Sequence, residues 1–126
     1  MPIKNSVDYE LKIVFSICEG KMGASDFPLY VKEMWSHYDY YGFNELFDTR
    51  NADWSEFDFH DLFEVSKKAS LLNTLDPNSK FAWVVLPGKQ NSLTNFYKSI
   101  KLISDGNSRT LQSFFSKEEA LRWLQE

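Results

Sequence analysis

Apolar positions along this chain change their spacing repeatedly, and each change predicts a new element. Segments 3–7 and 11–18 are apolar-rich and are separated by Asp8-Tyr9-Glu10, which reads as an antiparallel hairpin with Ile13, Phe15 and Ile17 on one face. The glycine-punctuated stretch Glu19-Gly20-Lys21-Met22-Gly23-Ala24 then predicts a loop. Phe27, Tyr30, Val31, Met34, Trp35 and Tyr38 recur at the helical period and predict a core-facing helix. Ser25 or Asp26 is placed to cap it, and Pro28 is tolerated in a first turn whose N–H groups have no intrahelical acceptor.

The second half repeats the alternation of strand and helix. Segment 43–48 reads as a short strand with the polar exit Asp48-Thr49-Arg50-Asn51-Ala52-Asp53, followed by a helix bearing Phe59, Leu62, Phe63, Ser66, Ala69 and Leu72. Asp76-Pro77-Asn78 breaks the chain. Segment 81–86 is apolar without alternation, as in a parallel strand covered on both faces, and is the expected central strand. Pro87-Gly88 ends it. Leu93, Phe96, Tyr97, Ile100 and Ile103 then give a further amphipathic helix, closed by Asp105-Gly106. A last strand over 110–115 leads to Ser116, whose hydroxyl is spaced to cap a terminal helix in a reciprocal box with Glu119. Ala120, Leu121, Trp123 and Leu124 form the packing face of that helix.

Parallel strands joined through helices require right-handed crossovers. The expected fold is therefore α/β: a mixed, mostly parallel sheet of about five strands with an N-terminal antiparallel hairpin and four helices, wound as a right-handed βα superhelix. The 126 residues suit a single domain, 1–126, able to bury a core without metals or disulfides. Cys18 is the one cysteine and has no internal partner, and the N-terminus lacks a secretory pattern, so a cytoplasmic location is expected. The longest uninterrupted apolar run, 81–86, is far short of the roughly 20 residues that span a bilayer. A net charge of −4 with interspersed signs gives no attraction to phosphate backbones or anionic membranes, which argues against a nucleic-acid partner. The 11 Phe, 6 Tyr and 4 Trp fall mainly at core-like spacing.

The order of elements, the loop Glu19-Gly20-Lys21-Met22, the strand end Leu46-Phe47-Asp48-Thr49-Arg50 and the terminal Ala-Leu-x-Trp-Leu at 120–124 resemble the stage II sporulation protein AA-like group of STAS-type domains. The resemblance covers almost the whole chain. It implies a bacterial, non-catalytic regulatory module working through protein contacts; self-association into a dimer is a separate expectation, from the aromatic surface at Tyr40 and Tyr41. In the antagonists of that group a serine within an Asp-Ser-Ser-Gly-like run accepts phosphate. Glu56-Phe57-Asp58-Phe59-His60-Asp61 stands at that place here, so phosphorylation-gated exchange does not carry over by position. Ser55 is the nearest hydroxyl; it has the spacing of a helix cap, and a phosphate there would sit at a helix N-terminus.

Loops following parallel strands gather at one edge, where open α/β sheets bind ligands. Gly20, Lys21 and Ser25, then Asp48, Thr49, Arg50 and Asn51, then Gly88, Lys89 and Asn91 are the residues brought there. Lys21, Ser25, Asp48, Arg50, Asn51, Lys89 and Asn91 are the ligand-binding candidates, suited to a carboxylate or phosphate. The plainer reading is that Asp48 and Arg50 neutralise each other and the glycines permit turns. Tyr40 and Tyr41 add aromatic surface beyond what a connector needs and are candidate interface residues. No nucleophile elbow, phosphate-binding loop or paired metal-ligand spacing occurs; His37 and His60 sit on different elements, and Cys18 reads as a small buried residue. No catalytic residue, cofactor or metal is expected. The leading function is a non-catalytic cytoplasmic STAS-like binding or regulatory module, and the alternative is a carrier or sensor of a small acidic or lipid-like ligand.

Overall fold

Strand β1 (Ile3–Asp8) and strand β2 (Ile13–Cys18) pair antiparallel, with Asp8 opposite Ile13. These come from a computed structural model that describes residues 3–23, 26, 30, 40, 42–69, 78–104 and 110–126, without the side chains of 65–69 and 100–104. The connecting turn occupies 9–12, later than the predicted Asp8-Tyr9-Glu10. Asp8 Oδ1 accepts from the Leu11 N–H at 2.9 Å and Lys12 takes a left-handed φ of 57°. An aspartate that closes a turn on the backbone this way holds Leu11 out of the ladder.

Beyond the hairpin the sheet is parallel. Strand β4 (Asn44–Asp48) lies beside β2, β6 (Lys80–Val84) beside β4, and β7 (Thr110–Phe114) beside β6, giving the order β1-β2-β4-β6-β7. The central strand is thus β4, and the apolar segment 81–86 supplies its neighbour, a correction to the expectation. Burial decides this less than pairing does: Glu45 and Asp48 make β4 look half-polar, yet both are buried, as are Ala82, Trp83 and Val84 of β6. A second correction concerns the segments that follow β2 and β4. Gly20 and Lys21 form a short strand β3 that pairs parallel with β5 (Ala52–Asp53), and the Met22 N–H extends the ladder to the Asp53 carbonyl at 3.0 Å.

Three helices are described: α1 (Phe59–Ala69), α2 (Lys89–Ser104) and α3 (Lys117–Leu124). The helix predicted over 27–38 lies outside the described residues apart from Tyr30, which is helical, as is Asp26. Leu72, the stop at Asp76-Pro77 and the closure at Asp105-Gly106 also lie outside them. Helix α1 begins after Asp58, whose Oδ1 accepts from the Asp61 N–H at 2.9 Å while Asp61 Oδ2 accepts from the Asp58 N–H at 3.0 Å. This reciprocal pair, and not Ser55, caps the helix; Ser55 sits in the preceding turn. The Asp58 carboxyl is held below its ordinary range, first by the Asp61 N–H it accepts.

Ser116 caps α3 as expected, accepting from the Glu119 N–H at 3.3 Å, but its own proton goes to Glu118 Oε2 at 3.3 Å. The other end of α3 is held by strand residues. Lys80 Nζ donates to the carbonyls of Trp123 at 3.0 Å and Glu126 at 3.1 Å, and Asn44 Nδ2 donates to the Leu124 carbonyl at 3.0 Å. A cation at the last turn answers the orphan carbonyls and the negative end of the helix dipole.

The sheet has two unequal faces. Val14, Phe47, Trp83 and Val85 pack with Tyr30, Trp54, Phe57, Leu62 and Leu93 in the larger cluster. Within it Phe47 meets Trp83 edge-on at 5.8 Å, and Trp83 meets Tyr97 likewise at 5.7 Å. On the opposite face Ile13, Leu46, Ala82 and Val84 pack under Ala120 and Leu124 of α3. Ile13, Phe15 and Ile17 share this second face as predicted, but burial fades along β2: Ile13 is buried, Phe15 half-buried and Ile17 37% exposed. Eight residues of α3 are too few to cover five strands.

Candidate functional site

The C-terminal ends of the parallel strands carry a dense polar knot, built from Thr49 outward. Thr49 follows β4, is fully buried, and gives its N–H to the Val84 carbonyl at 3.1 Å. Its Oγ1 accepts from Trp83 Nε1 at 2.9 Å, and its carbonyl accepts from Trp54 Nε1 at 3.3 Å. Both indole donors, which need partners once buried, are thereby satisfied by one residue. Gln90, in the first turn of α2, accepts the Leu86 N–H at 2.9 Å and gives Nε2 to the Arg50 carbonyl at 3.5 Å.

The candidate cations reach this edge and meet acceptors of the chain itself. Arg50 donates Nε to Asp48 Oδ1 at 3.1 Å and Nη2 to Asp48 Oδ2 at 2.9 Å, with its N–H also on Oδ1 at 3.1 Å. That two-pronged fit is the strong form of an ion pair, and it raises the Arg50 pKa further. Lys89 Nζ donates to the Trp54 carbonyl at 2.7 Å and to the Ser55 carbonyl at 3.4 Å. Lys21, on β3, meets Glu56 Oε1 at 2.9 Å on an open surface, and that contact raises its pKa. The Ser55 side chain first, and then the Ser55 N–H that Asp53 accepts at 2.9 Å, lower the Asp53 pKa. The exposed Lys21–Glu56 pair adds little stability.

The structure therefore brings Asp48, Arg50 and Lys89 to one edge in two adjoining sets of bonds, Asp48–Arg50–Gln90 and Lys89–Trp54–Thr49, which meet where Lys89 precedes Gln90 in the chain. Lys21 joins the same edge through the β3–β5 ladder. Asn51 stands in the exposed turn after Arg50, and Asn91 is half-buried in the first turn of α2. Ser25 and Tyr41 lie outside the described residues, as does His37. Tyr40 is half-buried, packed between Tyr9 at 6.5 Å and Phe43 at 5.8 Å. Cys18 is fully buried, and burial, followed by Asp26 and Glu19, pushes its thiol up to about 11.

Sequence patterning passed over a second feature. On the thinly covered face, Ser6, Phe15, Ile17, Leu46, Asp48 and Lys117 line an open hollow of about 230 Å³. Lys117 Nζ lies 5.6 Å from the Phe15 ring, so the rim is cationic over an aromatic floor. The readable signal was the shortness of the terminal helix set against the third apolar position of β2. Glu56, Gln90 and the Thr49–Trp83 bond were also missed, because their partners are far apart in sequence or are backbone carbonyls.

Among the described residues no group of three His, Cys, Asp or Glu side chains is arranged to hold a metal ion, and no helix is long and apolar enough to cross a membrane. No protein-family model matches the chain, and no curated protein is significantly similar to it.

Proposed function

We propose that the chain is a non-catalytic, STAS-like regulatory module that acts through protein contacts. In this reading the four parallel strands and their connections wind as a right-handed βα superhelix with a fourth helix over 27–38. The strand order supports it, since β2, β4, β6 and β7 lie side by side in chain order behind one antiparallel leading strand. One observation carries the functional half of the proposal. The face under α3 leaves Ile17 more than a third exposed beside Phe15, in a shallow hollow flanked by Asp48 and Lys117. Apolar surface rimmed by charge is the usual composition of a protein contact.

Size weighs against this hollow as the site of a carried ligand. A hollow of about 230 Å³ falls below the roughly 300–1,000 Å³ of sites that enclose a small organic ligand. The three cations at the strand ends also already have acceptors. Native mass spectrometry of the full chain purified from its own cells tests the proposal. A protein bound in fixed stoichiometry and released by Ile17→Asp supports it; a retained small non-protein mass transfers support to the carrier.

A further inference from the structure

We infer that β1 is a self-association edge, along which a second copy of this chain pairs antiparallel with Ser6 opposite Ser6. The inference deepens the module reading by naming one partner, and it rests on that reading only for its purpose.

Among the described residues strand β1 is the outermost strand of the sheet, and it runs six residues in unbroken register with β2. An outer strand presents a row of N–H and C=O groups with no neighbour, which another strand can pair with. Lys4, Asn5 and Ser6 are exposed along it. Edge strands are normally protected by proline, bulges or repelling charges. Here the two charges, Lys4 and Asp8, are of opposite sign and symmetrically placed about Ser6.

That symmetry selects one register. Antiparallel pairing centred on Ser6 sets Lys4 opposite the second copy's Asp8 and Asp8 opposite its Lys4, two attractive cross-strand pairs. Asn5 then lies opposite Val7, and all five residues from 4 to 8 are paired. Centring on Lys4 or on Asp8 opposes like charges, and centring on Asn5 or Val7 leaves one charge of each pair beyond the partner strand. The other edge of the sheet, β7, carries no charged residue and selects no register. The Ser6-centred register works whichever set of backbone groups points outward, because odd positions meet odd and even meet even.

The two hollows also become neighbours. Lys4, Ser6 and Asp8 lie opposite Ile17, Phe15 and Ile13, so they share the face that carries the hollow, and Ser6 lines it. A two-fold axis at Ser6 places one hollow on each side of the axis, on a single continuous face.

Sedimentation velocity on the full chain from about 1 µM to about 1 mM tests the pairing, since short edge contacts give weak, micromolar-range association. The expected result is a monomer–dimer equilibrium that Lys4→Asp weakens at least about tenfold by setting aspartates opposite each other. Oxidative crosslinking reads the register independently. Ser6→Cys forms a disulfide dimer, because opposed Cα atoms lie about 4.5–5.5 Å apart. Lys4→Cys does not, because the two copies of position 4 are offset by about 13 Å along the strands. Cys18 is buried and leaves the readout clean. A monomer at every concentration, or equal crosslinking of the two cysteine variants, overturns the edge dimer. Either result leaves the module reading standing on its native mass spectrum, so the two failures are distinguishable.

Discussion

Replacing Thr49 by valine keeps the shape of a fully buried side chain and removes the one acceptor of the Trp83 indole, which donates to Oγ1 at 2.9 Å. A stranded buried donor costs about 1–3 kcal/mol. The other bond of the hydroxyl, to the Val84 carbonyl at 3.4 Å, adds little, because that carbonyl keeps the residue-49 N–H at 3.1 Å. We expect Thr49→Val to destabilise by about 2 kcal/mol. At about 2.1 cal/mol/K per residue, 126 residues give an unfolding entropy near 0.26 kcal/mol/K, so Tm falls by about 8 °C. Thr49→Ser keeps the acceptor and loses one methyl, about 1 kcal/mol or 4 °C. Thermal and urea unfolding followed by far-UV circular dichroism measures both. In a Trp83→Phe background the donor is gone, and the cost of Thr49→Val should shrink by about 1–2 kcal/mol. A valine variant as stable as the serine variant, or a penalty that survives intact in Trp83→Phe, refutes the bond's role.

Three further outcomes follow from the same structure. The Cys18 thiol is ordinary near 9.0 when unfolded and is pushed up to about 11 by burial; between those values the folded state holds a proton that the unfolded chain has lost, so stability falls as pH rises through that window. The stability advantage of the parent over Cys18→Ala should therefore narrow from about pH 8 to about pH 11, and alkylation of the thiol should stay slow below the upper value. Ser116→Ala removes the acceptor of the Glu119 N–H and should lower stability by about 1 kcal/mol in urea unfolding. Leu62→Ala opens the larger cluster, where Leu62 is fully buried, and should lower stability by about 2–5 kcal/mol by the same measurement, whereas the half-exposed Phe59 on the same helix should tolerate alanine far better.

Helix α2 was legible because its apolar residues keep the helical period over its 16 residues, and the shorter α3 because Ser116 marks its start and Ala120, Leu121, Trp123 and Leu124 share one face. Strand β4 was undervalued as the centre because, within five residues, Asn44, Glu45 and Asp48 interrupt the apolar pattern. The burial of Glu45 and Asp48 depends on strands on either side, which periodicity along one strand does not register. The β3–β5 ladder is two residues long on each side, below the length at which any period is visible. The start of α1 was misplaced because Ser55 and Asp58 both suit a cap, and the choice falls to Asp61, which returns a bond only to Asp58. At the candidate site the cations were legible as residues at strand ends. Their acceptors were not: Lys89 meets the carbonyl of Trp54, a group every residue carries.

That distinction bears on what the strand-end cluster can do. A carboxylate or phosphate arriving there competes for Arg50 with Asp48, which accepts three N–H bonds from that one residue, including the backbone N–H. Releasing the guanidinium leaves an aspartate whose side chain is 12% exposed without its counter-charge, a costly state unless the ligand also brings a donor. Releasing Lys89 takes one of two donors from the carbonyl of Trp54, which keeps the Phe57 N–H at 3.0 Å. Anion binding at this edge is thus coupled to breaking bonds that the chain already makes. The exposed flank formed by β1, Phe15 and Ile17 carries no such coupling: a partner can cover it while every internal bond stays in place, which is the physical reason to look for recognition there first.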